Sequence, residues 1–168
     1  MKRPAALFFA ILILFGSLSS CTFKYKSTSC RKILEEIISS EVGLPSGRIY
    51  SKSAAKGDDE YLSRSLVSAL FGGGSFPDIA EGWVDVALFL SLNDHPCEMA
   101  VILCRDRDVA HDTARILSER LAAIRLTRAS PEYSTLLQNA IVTISGNYAL
   151  LIVSSDTQNA LKIFMKNK

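Results

Sequence analysis

Apolar residues follow two different periods along this chain, and the periods separate predicted strands from predicted helices. Between Val84 and Leu92 every second residue is apolar, and residues 98–104 (EMAVILC) form an apolar run after the turn cluster Asn93–Pro96. Residues 140–145 and 148–154 form a second pair around Gly146 and Asn147, a loop with glycine first, as a type II′ turn favours. These stretches predict two β-hairpins.

Helical spacing of apolar residues marks five other stretches, and capping residues suggest where each helix begins. They are Cys30–Val42, a helix capped by Asp58 or Asp59 that ends at Phe71, a long helix capped by Asp106 or Asp108 that ends near Leu126, a short helix at Glu132–Gln138, and a last helix capped by Asp156 or Thr157. Residues 48–51 can add a short strand between the first two helices.

The order hairpin, helix, hairpin, helix resembles a doubled ββα unit. It predicts an α+β fold in which helices pack on one face of a four-stranded antiparallel sheet, preceded by two N-terminal helices. Residues 148–153 are apolar on both faces of their strand, so neither face of the sheet is polar. We expect the N-terminal helices to cover the second face, and a homo-oligomer formed through that face, or another molecule, is the alternative.

The first twenty-one residues form a segment of their own. Lys2 and Arg3 precede an apolar run, Ala5–Phe15, which is shorter than the roughly 17–25 residues that a membrane-spanning helix needs. The run is followed by Leu18–Cys21, which resembles the lipobox of bacterial lipoproteins. The resemblance implies a signal peptide at residues 1–20 and lipid attachment at Cys21. A simple secretory leader and an uncleaved anchor are the alternatives.

The lipobox resemblance predicts how the rest of the chain is divided and where in the cell it is located. Residues 21–29 would be a lipidated tether that spans at most about 27 Å, and residues 30–168 a single α+β domain held by membrane lipid on the extracytoplasmic face of the cell membrane. The net charge of +2 includes Lys2 and Arg3, so without them it is zero. Nucleic acid is therefore excluded as an expected partner, because binding phosphates needs a basic excess on one face.

Four cysteines are present, and lipidation of Cys21 would leave three in a compartment that permits disulfides. Cys97 and Cys104 belong to one predicted strand, roughly 23 Å apart and on opposite faces, so they cannot bridge. A disulfide would need Cys30. The alternative is three buried thiols.

A family resemblance covers about residues 79–166. It is carried by Glu98–Val101, Glu119–Leu121, Tyr133 and Gly146–Tyr148. With these residues the chain resembles domain of unknown function 4358, a family of small lipoproteins of Gram-positive bacteria. The resemblance implies an architecture and a surface location, and it brings no activity.

Candidate chemistry is concentrated in the loop between the first two strands. Asp94, His95 and Cys97, with Cys104, His111 and Asp112 nearby in sequence, are acceptable metal ligands or nucleophiles, although their spacing matches no zinc pattern. We therefore assign no catalytic, metal or cofactor residues. Arg120, at the edge of an apolar stripe, is expected to hold Glu98 or Tyr133, with a role in binding a partner as the rival interpretation.

These observations favour a non-catalytic binding or interaction module at the cell envelope. Its partner would be an envelope protein or polymer. The alternative is an envelope enzyme or metal-binding protein with its site in the loop Asn93–Cys97.

Overall fold

The computed structural model describes residues 28–41 and 43–168, and its centre is one antiparallel sheet. The strands lie in the order β1-β2-β3-β5-β4, and every neighbouring pair is antiparallel. Their bounds are β1 Gly47–Ser51, β2 Trp83–Ser91, β3 Glu98–Cys104, β4 Ile141–Ser145 and β5 Tyr148–Val153.

Five α-helices accompany the sheet in the described residues. They are α1 Cys30–Ser40, α2 Arg64–Phe71, α3 Arg107–Thr127, α4 Ser134–Asn139 and α5 Thr157–Asn167. Short 3₁₀ helices at Asp78–Gly82 and Pro131–Tyr133 precede β2 and α4. The α+β class and the hairpin–helix–hairpin–helix order are as predicted.

Helices cover both faces of the sheet, but their distribution differs from the expectation. The helices that follow the two hairpins, α3 and α5, pack on opposite faces, and of the two N-terminal helices in the described residues α1 covers the second face and α2 the first. Alternate residues of each strand point to opposite sides, so a continuous apolar strand has two surfaces to bury. On one face α3, with α2 and α4, packs over a core that includes Val86, Ile102 and Leu151. On the other face α1 and α5 pack over Phe89, Met99 and Ile152.

The predicted sheet of four strands was wrong, because β1 adds a fifth at the edge. Gly47–Ser51 pairs with Ser91–Ala87 along its whole length. In chain order, β1 lies between α1 and α2, the two helices that precede the first hairpin. The chain itself covers the second sheet face, where α1 contributes Ile33, Leu34 and Ile37 and α5 contributes Phe164, all fully buried.

Side-chain caps fix the starts of the helices. Asp106 accepts a hydrogen bond from the backbone N–H of Val109 at 2.8 Å, and Asp156 accepts one from Asn159, so one of the two candidates predicted for each helix is confirmed. The predicted caps of α2, Asp58 and Asp59, were wrong. Ser63 caps that helix instead, because the preceding chain is extended and hydrogen-bonded to Ser51.

The second hairpin turn has the predicted geometry. Gly146, the first central residue of the turn, has φ of +59°. Asn147, the second central residue, is not among the non-glycine residues with positive φ, which in the described part of the chain are Asn93 and Asp94. A positive φ at the first central residue alone is the pattern of a type II′ turn. Within the described residues no helix combines the length and the apolar character needed to span a membrane.

Candidate functional site

The loop between β2 and β3, residues 92–97, contains the candidate residues of the sequence. Asn93 and Asp94 have φ of 59° and 58°. Asparagine and aspartate tolerate this left-handed region better than other side-chain-bearing residues, and two consecutive positive φ values suit a tight hairpin turn. The turn chemistry explains both residues without any catalytic role.

His95 is held at three points, through its carbonyl and through its ring. The carbonyl oxygen accepts hydrogen bonds from the Ser91 hydroxyl and from Nη1 of Arg128, the latter at 2.5 Å. The ring Nδ1 accepts a hydrogen bond from the backbone N–H of Cys97 at 3.1 Å. An acceptor at Nδ1 places the proton of the neutral ring on Nε2, so Nε2–H is the group that remains for another molecule.

The rings of His95 and Tyr133 pack edge to face, with 4.8 Å between centroids and an interplanar angle of 63°. Burial lowers the pKa of His95; Glu132 opposes the shift and the positive charge of Arg128 adds to it. The imidazole is therefore kept neutral around pH 7. Burial and the neighbouring Glu132 raise the pKa of the Tyr133 phenol, which stays protonated.

A surface hollow of about 540 Å³ lies beside this pair of rings. We call it the distal concavity, and it is lined by Asp94, Thr127, Arg128, Ala129, Ser130 and Tyr133. Ser130 lines this hollow, and its hydroxyl oxygen is buried and is among the side-chain atoms, within the described residues, that have no hydrogen-bond partner. Buried polar groups are normally paired, so this hydroxyl is an exception at the site.

Cys97 and Cys104 do not join His95 in a site. Cys97 packs among the residues under α1 and α5, and Cys104 packs under α3, so the two thiols lie on opposite faces as expected. Burial raises the pKa of Cys97 to about 12 and also raises that of Cys104. A thiol that stays protonated is a poor nucleophile and a poor metal ligand.

The remaining candidates lie elsewhere. His111 and Asp112 are exposed near the start of α3, at the opposite end of the sheet from His95. In residues 28–41 and 43–168, no group of three or more His, Cys, Asp or Glu side chains is arranged to hold a metal ion. The three described cysteines, Cys30, Cys97 and Cys104, are free and buried.

Arg120 contacts one of its two expected partners. Its guanidinium donates two hydrogen bonds to the Glu98 carboxylate, and both side chains are largely buried. Glu98 is the first residue of β3, directly after the loop, so the ion pair ties the base of the loop to α3. The pairing fits a supporting role in the fold.

Arg128 and Ser130 are the site residues that sequence reasoning missed. Arg128 is the C-cap residue of α3, and its side chain crosses to the loop between β2 and β3. Their contribution depends on two connections, residues 92–97 and 128–133, meeting at one end of the sheet, and spacing along the chain does not encode that meeting.

The chain enters the described fold at the other end of the sheet. The backbone N–H of Cys30 donates to Oδ2 of Asp85 at 2.8 Å, which fixes the start of α1 beside the first residues of β2. Cys21, the predicted lipid attachment residue, and the leader lie outside the described residues. We call the end near Asp85 the proximal end, and the end that holds the loop 92–97 the distal end.

Comparisons with protein-family models, with curated proteins and with solved structures found no match.

Proposed function

We propose that this protein is a lipid-anchored, extracytoplasmic binding module without catalytic activity. Its Cys21 thiol would carry the lipid, and its distal concavity would bind a polar partner of the cell envelope, a protein or a polymer. The doubled ββα resemblance and the family resemblance of residues 79–166 to small lipoproteins belong to the same proposal.

One observation carries the proposal: α1 begins at the proximal end, and the distal concavity lies at the other end of the strands. The nine residues of β2 separate the two ends by about 30 Å at roughly 3.4 Å per residue. A chain held to a membrane at residue 21 would therefore present the distal concavity away from the lipid surface, where an envelope partner can reach it.

The chemistry of the distal concavity favours binding over catalysis. Its lining includes the Ser130 hydroxyl, the Tyr133 phenol and the Asp94 carboxylate, and the ring of His95 packs against that of Tyr133. The thiol of Cys97, the last residue of the loop 92–97, is buried on the sheet face that α1 and α5 cover. A few convergent polar groups beside an aromatic surface are typical of a site that orients a ligand.

Two measurements test the proposal. For the anchor, Cys21→Ser in the natural host should abolish palmitate labelling and membrane fractionation; unchanged behaviour would contradict the anchor. For the site, a photoreactive phenylalanine at the exposed residue Thr127 should give a discrete adduct in intact cells, and Tyr133→Ala should remove it.

The same probe at Ser118 provides a matched control, because Ser118 is exposed on the same helix but lies outside the distal concavity. Equal adducts from residues 118 and 127 would contradict a binding site at the distal end.

A further inference from the structure

A second hollow, of about 530 Å³, opens at the proximal end of the sheet. We call it the proximal groove. Its apolar walls are Val84, Leu103 and Tyr148, and its charged lining residues are Arg105 and Lys168. The volume is within the roughly 300–1,000 Å³ of sites that bind small molecules.

The proximal groove adjoins the start of α1. Val84 precedes Asp85, whose carboxylate and carbonyl oxygens accept hydrogen bonds from the backbone N–H and the thiol of Cys30. The groove is therefore beside the point at which the preceding residues join the fold.

Val84 supplies exposed apolar surface to the proximal groove. The Val84 side chain lies on a strand of the sheet, yet 55% of Val84 is exposed. Leu103 is half-buried, and the ring of Tyr148 is fixed by an edge-to-face contact with Phe164, with centroids 5.7 Å apart. Val84 and Leu103 supply the solvent-facing part of this wall, whereas Tyr148 is buried and held by its ring contact.

Two cationic side chains lie at the rim of the proximal groove, and one of them is already paired with a carboxylate. Arg105 is largely exposed and pairs with Asp106 at 3.1 Å, which leaves other guanidinium N–H groups for a ligand. The Lys168 ammonium donates to the Ser145 hydroxyl at the opposite rim. None of the lining residues carries a side-chain carboxylate. Apolar walls beneath two cations suit an amphiphile with a hydrocarbon chain and an anionic head.

We propose that the proximal groove takes an acyl chain of an anionic phospholipid from the membrane that holds the protein, with its phosphate between Arg105 and Lys168. This inference rests on the proposed anchoring, because a tether of residues 21–29 keeps the proximal end within about 30 Å of the bilayer. The bound chain holds this end of the domain against the membrane and so fixes its orientation.

The experiment uses the full lipidated protein in phosphatidylcholine vesicles that contain a minority of phosphatidylglycerol with a photoreactive acyl chain. After photolysis and digestion, mass spectrometry should find adducts on the peptides that contain Val84, Leu103 or Tyr148. The peptide that contains Leu126 is the internal control, since Leu126 is 84% exposed at the distal end.

A variant sharpens the result. Val84→Asp places a carboxylate on the exposed part of the wall and should reduce the groove adducts by about tenfold, which corresponds to roughly 1.4 kcal/mol of binding free energy. Leu126→Asp should leave the groove adducts unchanged. Thermal melts of both variants establish that the fold is retained. If Val84→Asp does not fold, Arg105→Gln, at an exposed residue, replaces it.

Three outcomes would overturn the inference. They are adducts spread equally over groove and control peptides, groove adducts that survive Val84→Asp in a folded protein, and a groove filled by the lipid of the protein's own N-terminal peptide. Failure of the anchor is read separately, from the mass of that N-terminal peptide and from vesicle flotation.

Discussion

The guanidinium of Arg120 donates two parallel hydrogen bonds to the carboxylate of Glu98, from Nε to Oε1 at 2.9 Å and from Nη2 to Oε2 at 2.7 Å. The side chains are 19% and 6% exposed, so the pair is largely removed from water. Bidentate geometry of this kind is the strongest form of the arginine–carboxylate interaction. It joins the long helix α3 to β3, the strand that follows the loop 92–97.

Arg120→Ala should destabilise the domain by about 3 kcal/mol, near the lower end of the range for breaking a buried pair, because the buried carboxyl group of Glu98 loses its partner. Urea unfolding followed by the fluorescence of Trp83, the single tryptophan, measures the change. Arg115→Ala is the control. Its pair with Glu119 is exposed on both sides and should contribute about 0.5 kcal/mol or less.

The same variant separates the two interpretations of Arg120. A large loss of stability supports the structural role. A protein that unfolds at the wild-type urea concentration but loses the adduct at residue 127 would instead make Arg120 a binding residue.

His95 should make the stability of the domain depend on pH. Burial holds its pKa below the ordinary value of 6.5, with Glu132 opposing and Arg128 reinforcing the shift. A histidine with a lowered pKa binds its proton less readily in the folded state. The free energy of unfolding therefore has its full value above pH 6.5, and it decreases as the pH falls towards the folded-state pKa of His95.

We expect the free energy of unfolding to decrease below pH 6.5 in the wild type and to decrease less steeply in His95→Gln. Urea titrations across this range measure both slopes. Identical slopes in the two proteins would show that His95 does not carry the effect.

The three described thiols should react only when the domain opens. Burial raises the pKa of Cys97 to about 12, against an ordinary value of 9.0, so its thiolate fraction at neutral pH falls about a thousandfold. Burial also raises the pKa of Cys30, with Asp85 adding to the shift. Alkylation of the native protein, mapped by mass spectrometry, should label Cys30, Cys97 and Cys104 slowly and labelling should become fast in urea.

Ser118→Cys supplies an exposed thiol on α3 as the positive control. A peptide that joins Cys30 to Cys97 or Cys104 through a disulfide, or fast labelling of any of the three in the native protein, would contradict this prediction.

Thr113→Val should cost about 1–3 kcal/mol, because it removes the hydroxyl that accepts the indole N–H of Trp83 at 2.8 Å in the core and leaves that donor unpaired. The change in volume is small, so the lost hydrogen bond dominates. Thr127→Val, at an exposed residue, is the control and should change the stability by less than about 0.5 kcal/mol. Equal effects of the two substitutions would exclude this role for Thr113.

Local patterns predicted the elements of the fold well, and long-range pairing limited the rest. The turn at Gly146, the cap Asp106 and the apolar face of α1 follow from short-range rules that depend on a few neighbours. The sequence allows a short strand at residues 48–51, but an edge strand joins a sheet through backbone hydrogen bonds that any sequence can make. Its pairing with β2 was therefore not visible.

The predicted start of α2 was wrong for a related reason. Asp58 and Asp59 are good capping residues, yet Leu62 donates its backbone N–H to Ser51 at 3.0 Å, so the chain is extended where a helix was expected. Tertiary pairing overrides local propensity here.

The sequence predicted one of the two connections that form the candidate site. The loop around His95 was visible as a cluster of chemically capable residues beside a turn. Arg128 and Ser130 were not, because they reach the loop across the sheet end from a separate connection. The contact of Arg120 with Glu98, by contrast, could be anticipated, since an arginine at the edge of an apolar stripe needs a buried acceptor.

The arrangement of α1 and the loop 92–97 at opposite ends of β2 also decides how the molecule would carry a mechanical load. A pull between residue 29 and a partner held at the loop would run along the strands. Hydrogen bonds between antiparallel strands lie across that direction, so those between β2 and β3 are loaded together in shear. Such a molecule should yield to tension abruptly and at high force.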